Sequence, residues 1–157
     1  MGASVNPRAD DRALILDVWA RYSTSIDGRD LAALRTCFAD DAVAGYWPGH
    51  QLDGADEIVA FIGGSIGSFR ATQHLIGTHS FEFEDDDTAR ASTYVQAAHV
   101  MDRGGREVVV VVGGRYVDRL RREPDGWKLV ERRFEPMWTT EAASSVMPAP
   151  GQNESRQ

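Results

Sequence analysis

The sequence predicts an α+β domain in which three helices come first and an antiparallel sheet follows. Apolar residues recur at helical spacing up to about residue 67, whereas short alternating and β-branched segments divided by turns take over from residue 73. At 157 residues the chain is long enough to bury one core and enclose one pocket. Because the helices and strands are segregated, we expect the helices to pack on one face of a curved sheet.

The first helix is the strongest of these predictions. Asp10 or Asp11 is expected to cap its N-terminus, and Gly28 is expected to end it. The apolar spacing predicts an inward stripe formed by Leu14, Val18, Tyr22 and Ile26 and widened by Ile15 and Trp19.

Two further helices are predicted before the sheet. Asp30 is expected to cap a short second helix that the Asp40–Asp41 pair ends, after which residues 42–46 enter the first strand. A third helix is predicted from Ala55. Gly63–Gly64 is expected to break or bend it, because each glycine costs about 1 kcal/mol relative to alanine in a helix.

Four long strands with short turns account for the second half of the domain. They are predicted over residues 74–84, 88–101, 108–112 and 127–134. Because side chains alternate along a regular strand, His74 and His79 are expected on opposite faces, with His74 in the pocket.

Composition excludes several classes of function. The net charge of -7 leaves no basic surface for a nucleic acid or an anionic membrane. No apolar run is long enough for a membrane span or a signal peptide, so a cytoplasmic location is expected. Cys37, the single cysteine, excludes an internal disulfide and a cysteine-rich metal site, and it is expected to be a buried structural thiol.

The domain organisation is expected to be simple. Residues 1–9 are interpreted as a flexible arm, residues 10–140 as a single domain, and residues 141–157 as a disordered tail rich in small and polar residues.

Five segments, in order, resemble the SnoaL-like branch of the nuclear transport factor 2-like superfamily over roughly residues 10–138: YSTSID, LRTCFADDAV, TQHLIGTH, GGRYVDRL and DGWKLVERR. The resemblance implies a cone-shaped α+β barrel, with three N-terminal helices on a strongly curved, mostly antiparallel sheet. Within the superfamily the chain is similar to scytalone dehydratase and hexachlorocyclohexane dehydrochlorinase. Both enzymes pair an Asp after the first helix with a His at the start of the long sheet, and neither needs a metal or cofactor.

The resemblance implies three catalytic residues. Asp27 and His74 occupy the positions of that pair, and His99 matches a second pocket histidine of the dehydratase. A carboxylate that fixes one ring nitrogen leaves the other as a general base, a role typically worth roughly 10²–10⁴-fold in rate. The same three side chains are the ligand types of a two-histidine, one-carboxylate metal site, the rival interpretation, although no metal is expected.

Six further residues are candidate substrate contacts. Tyr46 matches a first-strand tyrosine of the dehydratase, and Trp47 follows it at the rim. Glu135 is a possible second acid, and Arg133 lies on the last strand, where a solvated, charge-paired strand is the favoured interpretation. Tyr22 and Phe69 complete the set.

Together these features predict a cofactor-independent dehydratase or isomerase that acts on an apolar, oxygenated small molecule. Two alternatives remain open: a SnoaL-like polyketide or ether cyclase or epoxide-opening enzyme of secondary metabolism, and a non-catalytic binding or dimerisation module. The valines at 108–112 are apolar on both faces of their strand, so a homodimer through the sheet is expected to cover the outer face.

Overall fold

The computed structural model describes residues 8–144, in which three helices pack on one face of a six-stranded sheet. The helices are α1 (Ala9–Asp27), α2 (Leu31–Arg35) and α3 (Ala55–Ile66). The strands are β1 (Phe38–Gly45), β2 (Leu52–Asp53), β3 (Ala71–Phe83), β4 (Thr88–Asp102), β5 (Glu107–Glu123) and β6 (Gly126–Ala143). Their order is β2-β1-β6-β5-β4-β3, and only the β1–β6 pair of this described sheet is parallel. The predicted α+β class with a mostly antiparallel sheet is confirmed.

The start of α1 and one residue of its apolar stripe differ from the prediction. The helix begins at Ala9 without a side-chain cap, because the Asp11 carboxylate is buried and accepts hydrogen bonds from Arg122 and Trp127. Leu14 is 45% exposed, so its predicted inward position is wrong. The buried face is centred one residue further on, at Ile15, Val18, Trp19, Tyr22 and Ile26.

The predicted cap of α2 is confirmed, whereas its predicted end is wrong. Asp30 accepts a 2.9 Å hydrogen bond from a backbone N–H of the first turn. The helix stops at Arg35, and β1 already begins at Phe38, so Asp40 and Asp41 lie inside the strand with exposed side chains. Charge-paired acidic residues are compatible with a strand that has one solvated face.

Helix α3 runs unbroken through Gly63 and Gly64, contrary to the expected bend. A side chain at Gly63 would place its Cβ 2.8 Å from Cδ1 of Leu31 in α2. Glycine therefore permits the close packing of α2 and α3 at this point, and Gly67 caps the helix end.

Strand β6 is much longer than the predicted 127–134 segment. It continues to Ala143, because β5 is almost as long and pairs with it along its whole length. The pairing runs from Glu123 opposite Gly126 to Val108 opposite Ala143. Residues 141–143 thus belong to the sheet rather than to the expected tail, and Ala9 belongs to α1 rather than to the expected arm. Arg8 and Ser144 are the terminal described residues, and residues 1–7 and 145–157 of the two expected segments lie outside the described part of the chain.

A bulge in β3 overturns the predicted opposition of His74 and His79. His74 pairs with Ala97 and His79 pairs with Thr93, with a register shift between Ile76 and His79. The six residues from His74 to His79 are therefore opposite five residues of β4, so both histidines face the helices. His79 contacts the rings of Trp19 and Phe81 rather than Asp27.

The core contains one fully buried ion pair. Arg132 donates two hydrogen bonds to Asp118, at 2.9 and 2.6 Å, and both side chains are 0% exposed. Trp19 Nε1 donates to the same carboxylate at 2.7 Å. The guanidinium lies between the rings of Tyr22 and Tyr116, 4.1 and 4.0 Å from their centroids. The charge of Asp118 is thus satisfied without solvent.

Cys37 is a free, buried thiol, as expected, and burial raises its pKa above the ordinary value. Among residues 8–144, no helix is both long enough and apolar enough to cross a membrane.

Candidate active site

Asp27 and His74 are joined by two hydrogen bonds. Asp27 is the last residue of α1, and His74 lies in β3, the edge strand against which α1 packs. His74 Nδ1 lies 2.8 Å from Asp27 Oδ1, and the backbone N–H of His74 donates to Oδ2, also at 2.8 Å. The carboxylate therefore fixes both the ring and the backbone of the histidine, and the His74 side chain is only 7% exposed.

The hydrogen bonds keep Asp27 ionised and determine which ring nitrogen of His74 faces it with a proton. Burial alone would raise the pKa of Asp27, but the hydrogen bonds from the ring and backbone of His74 outweigh it, so the pKa lies below its ordinary value. Because an ionised carboxylate can only accept, Nδ1 of His74 carries a proton. Nε2 of the neutral ring is then the acceptor, and no described residue bonds to it. This is the arrangement of a general base.

Two residues that the sequence reasoning missed support Asp27. Thr72 donates its hydroxyl to Asp27 Oδ1 at 3.0 Å. Arg29 donates to Thr72 Oγ1 at 3.2 Å, to the Asp27 carbonyl at 3.1 Å and to the Phe69 carbonyl at 3.1 Å. Strand alternation could have identified Thr72, two residues before His74, whereas no local pattern identifies Arg29 in its turn.

His99 lies beside His74 on the adjacent strand. The two ring centroids are 5.9 Å apart with the planes nearly perpendicular, and Phe69 packs on His99 at 4.7 Å. Burial, followed by the charge of a protonated His74, lowers the pKa of His99 below its ordinary value. His99 is therefore held neutral at neutral pH, where it can act as a hydrogen-bonding group. The structure thus brings together Asp27, His74, His99 and Phe69.

The sheet provides an apolar surface next to His74. Across the strands, His74 pairs with Ala97, which pairs with Val112. Cross-strand partners share one face of the sheet, so the small Ala97 and, one strand further, the apolar Val112 lie on the same face as the His74 imidazole.

Tyr22, Tyr46 and Trp47 make their contacts with residues other than the pair. Tyr22 is 1% exposed, and its hydroxyl lies 3.0 Å from that of Tyr46. Burial raises the pKa of Tyr46 well above its ordinary value. Trp47 is 47% exposed and stacks on His50 at 4.0 Å. Within the described residues, no hydrogen bond or ring contact links these three side chains to Asp27 or His74.

Arg133 and Glu135 are on the face of the sheet opposite His74, so the structure does not bring these two candidate substrate contacts together with the pair. They form an exposed ion pair at 2.7 Å, and Glu135 also accepts from Arg115 at 2.6 Å. The alternate residues, Arg132 and Phe134, take the core face, so alternation directs Arg133 and Glu135 outward. The charge-paired surface strand is the correct interpretation.

The outer face also carries a groove of about 1360 Å³. It is lined by the Trp47–Gln51 loop and by outward side chains that include Ser80, Ser92, Arg119 and Arg133. Asp27, His74 and His99 do not line it, because the sheet separates the two regions. The Asp27–His74 site is therefore defined by its hydrogen bonds and by the inner face of the sheet.

The rival metal site lacks a suitable cluster. Across the described residues, no group of three or more His, Cys, Asp or Glu side chains is arranged to hold a metal ion. Asp27 Oδ1 and His74 Nδ1 are bonded to each other, so neither is free to bind a shared ion.

Comparison with known proteins identifies the family and the fold of the chain. Residues 7–133 match the SnoaL-like domain family. An uncharacterized protein of Mycobacterium tuberculosis is 30% identical over 131 residues, covering 83% of this chain and 85% of the relative. A Novosphingobium aromaticivorans structure named as a scytalone dehydratase superposes with a TM-score of 0.77 at 21% identity, covering 92% and 96% of the two chains. Hexachlorocyclohexane dehydrochlorinase of Novosphingobium barchaimii superposes with a TM-score of 0.78 at 17% identity, covering 91% and 97%. The chain belongs to the SnoaL-like family of the nuclear transport factor 2-like superfamily.

Proposed function

We propose that this protein is a cofactor-independent acid–base enzyme of the dehydratase or isomerase type, acting on an apolar, oxygenated small molecule. The observation that carries the proposal is the double hydrogen bond between Asp27 and His74. It orients the ring, fixes the proton on Nδ1 and leaves Nε2 as the base.

Elimination is the reaction that these residues support best. His74 Nε2 takes a proton from carbon, and the released electron pair forms a carbon–carbon double bond as the carbon–oxygen bond of the leaving hydroxyl breaks. The His74 imidazolium gives its proton to that hydroxyl, which departs as water and leaves the base neutral again. Asp27 stabilises the imidazolium that forms, and His99 hydrogen-bonds the substrate oxygen that gains charge. Ala97 and Val112 favour an apolar substrate skeleton.

The fold comparisons support the same class of reaction. The two structural neighbours carry the names of a dehydratase and a dehydrochlorinase, and both names denote eliminations. Their identities of 21% and 17% support the fold, and the assignment of elimination to this chain depends on the Asp27–His74 geometry.

The test is turnover of a panel of β-hydroxy ketones and hydroxylated aromatic ketones by wild type and His74→Ala. We expect the variant to lose at least about 10²-fold in kcat/KM, the lower range for a general base. His79→Ala is the matched control, since His79 lies on the same strand and face but contacts only Trp19, Phe81 and a backbone carbonyl. Unchanged turnover in a folded His74→Ala protein would overturn the proposal.

Cyclisation and simple binding give different results in the same experiment. A cyclase would yield a ring-closed isomer that incorporates no solvent deuterium at carbon, whereas an elimination yields water and an alkene. A binding module would bind the compounds both as wild type and as His74→Ala, and neither protein would turn over any of them.

We also infer that a second copy covers the outer face of the sheet. Three large apolar side chains are exposed there, namely Leu75, Tyr94 and Trp138, with exposures of 57%, 49% and 46%. A patch of this kind on an otherwise charged surface favours a protein partner.

A further inference from the structure

We propose that Arg29 and Thr72 are positioning residues that set the proton affinity of His74, Arg29 acting through the Thr72 hydroxyl and Asp27. The inference deepens the proposed function, because it concerns the strength of the same base. Neither residue contacts the face of His74 that carries Nε2.

The direction of each hydrogen bond follows from what each group can donate. A guanidinium has no acceptor, so the Thr72 oxygen must accept from Arg29 Nη1 at 3.2 Å. The single hydroxyl proton of Thr72 is then directed to Asp27 Oδ1 at 3.0 Å. The chain of donors runs in one direction, from Arg29 to Thr72 to Asp27.

The carboxylate consequently receives more donors than His74 alone supplies. Oδ1 accepts from both Thr72 and His74 Nδ1, and Oδ2 accepts from the His74 backbone. Each further donor spreads the negative charge, so Asp27 attracts the imidazolium proton less strongly.

The backbone conformation of Arg29 indicates that this residue does more than connect α1 to α2. Its φ of 57° lies in the left-handed region, where glycine and asparagine are the favoured residues, so a long side chain is strained there. Three side-chain hydrogen bonds, to Asp27, Thr72 and Phe69, accompany this conformation. Glycine at this position would relieve the strain and remove only the donors.

The other charged groups around the pair come from two further segments. His99 of β4 faces the His74 ring at 5.9 Å, and Asp30, next to Arg29, is engaged as the cap of α2. The charge of a protonated His74 lowers the pKa of His99, after the larger effect of burial. A gain of proton affinity at His74 is therefore expected to lower that of His99.

The test is NMR titration of the His74 and His99 ring nitrogens in wild type, Arg29→Met, Arg29→Gly, Thr72→Val and the Arg29→Met/Thr72→Val double variant. In both Arg29 variants we expect proton affinity at His74 to rise about 3- to 10-fold, or roughly 0.5 to 1 pKa unit. Thr72→Val should shift it in the same direction. Because Arg29 acts through Thr72, the Arg29 change should have no further effect once the Thr72 hydroxyl is gone, so the double variant should match Thr72→Val rather than the sum of the two single changes.

Thr72→Ser is the matched control, since it keeps the hydroxyl and should titrate like wild type. A purely structural Arg29 would give the opposite sign, because a loosened Asp27 would hold the imidazolium less well and the pKa of His74 would fall. A fall, no change or additive shifts would overturn the proposal. The titration needs no substrate, so its result is independent of the turnover test. If the expected pKa shift is observed but His74→Ala still turns over substrate, the proposed function is refuted while the positioning role of Arg29 and Thr72 stands.

Discussion

Asp27 binds both the ring and the backbone N–H of His74, each at 2.8 Å, and so joins the end of α1 to the edge strand β3. The bond that orients the base is therefore also a bond that holds the helix against the sheet. Substitutions at Asp27 should affect chemistry and stability together, and their dependence on pH separates the two effects.

Asp27→Asn should lower the free energy of unfolding at pH 7. Hydrogen bonds to charged groups contribute about 1.5–3 kcal/mol, and the 25% exposure of the Asp27 side chain places the loss at about 1.5 kcal/mol. Because the folded-state pKa of Asp27 is lowered, its contribution is present above the ordinary value of 3.8 and is lost as the pH falls through the folded-state pKa. Urea denaturation at a series of pH values should show the two proteins converging in acid, and a constant difference would contradict the assignment.

His99→Gln should reduce the loss of folding stability that wild type undergoes as the pH falls. The pKa of His99 is lowered in the folded protein from an ordinary value of 6.5, so the unfolded chain binds the proton more readily. Wild type should therefore lose stability as the pH falls below about 6.5, and the variant should lose less over the same interval. Thermal unfolding at pH 7 and pH 5 measures this. An equal decrease in both proteins would show that His99 is not held neutral by the fold.

Removal of one partner of the buried Asp118–Arg132 pair should greatly lower the free energy of unfolding. Arg132→Met leaves an uncompensated carboxylate in the core, which typically costs about 3–5 kcal/mol. The Asp118→Leu/Arg132→Met double variant should recover much of that loss, because it buries no charge. Chemical denaturation of both variants tests this, and a double variant as unstable as the sum of the two single changes would contradict it.

Two adjacent glycines in α3 should respond differently to alanine. Gly64→Ala should stabilise the protein by up to about 1 kcal/mol, since nothing lies within 4 Å of the added Cβ. Gly63→Ala should gain clearly less, because its Cβ would force Leu31 Cδ1 to move. Melting temperatures of the two variants give a direct comparison. Equal gains would show that the contact of α2 with α3 carries no packing constraint.

Tyr94→Arg should dissociate the proposed dimer, because it places a charge in the centre of the exposed apolar face of the sheet. Sedimentation velocity at micromolar concentration should show a dimer for wild type and a monomer for the variant. Leu14→Arg is the control, since Leu14 is also apolar and 45% exposed but lies on α1. A monomeric wild type would refute the interface, and dissociation by Leu14→Arg would locate it elsewhere.

The candidate site was partly predictable from the sequence. Resemblance to the family pointed to Asp27, His74 and His99, and the structure places all three together. Arg29 was not predictable, because its three acceptors come from parts of the chain that approach it only in the folded protein. For Arg133 the sequence left a substrate contact open beside the favoured solvated strand, since even spacing of charges indicates a shared face without indicating which face.

The sequence by itself determined the order of the three helices and the long strands and most of the turns between them, because local periodicity and turn residues reflect interactions between near neighbours. The faces of the strands were decided only by the tertiary structure. The bulge between Ile76 and His79 leaves no mark on the alternation of β3, yet it turns His79 toward the helices. The length of β6 likewise depends on its pairing with β5, so residues past Phe134 become strand because a partner strand is present to bond with them. The Asp27–His74 pair needed both: a family pattern to identify its members, and the packing of α1 on β3 to bring the two side chains into contact.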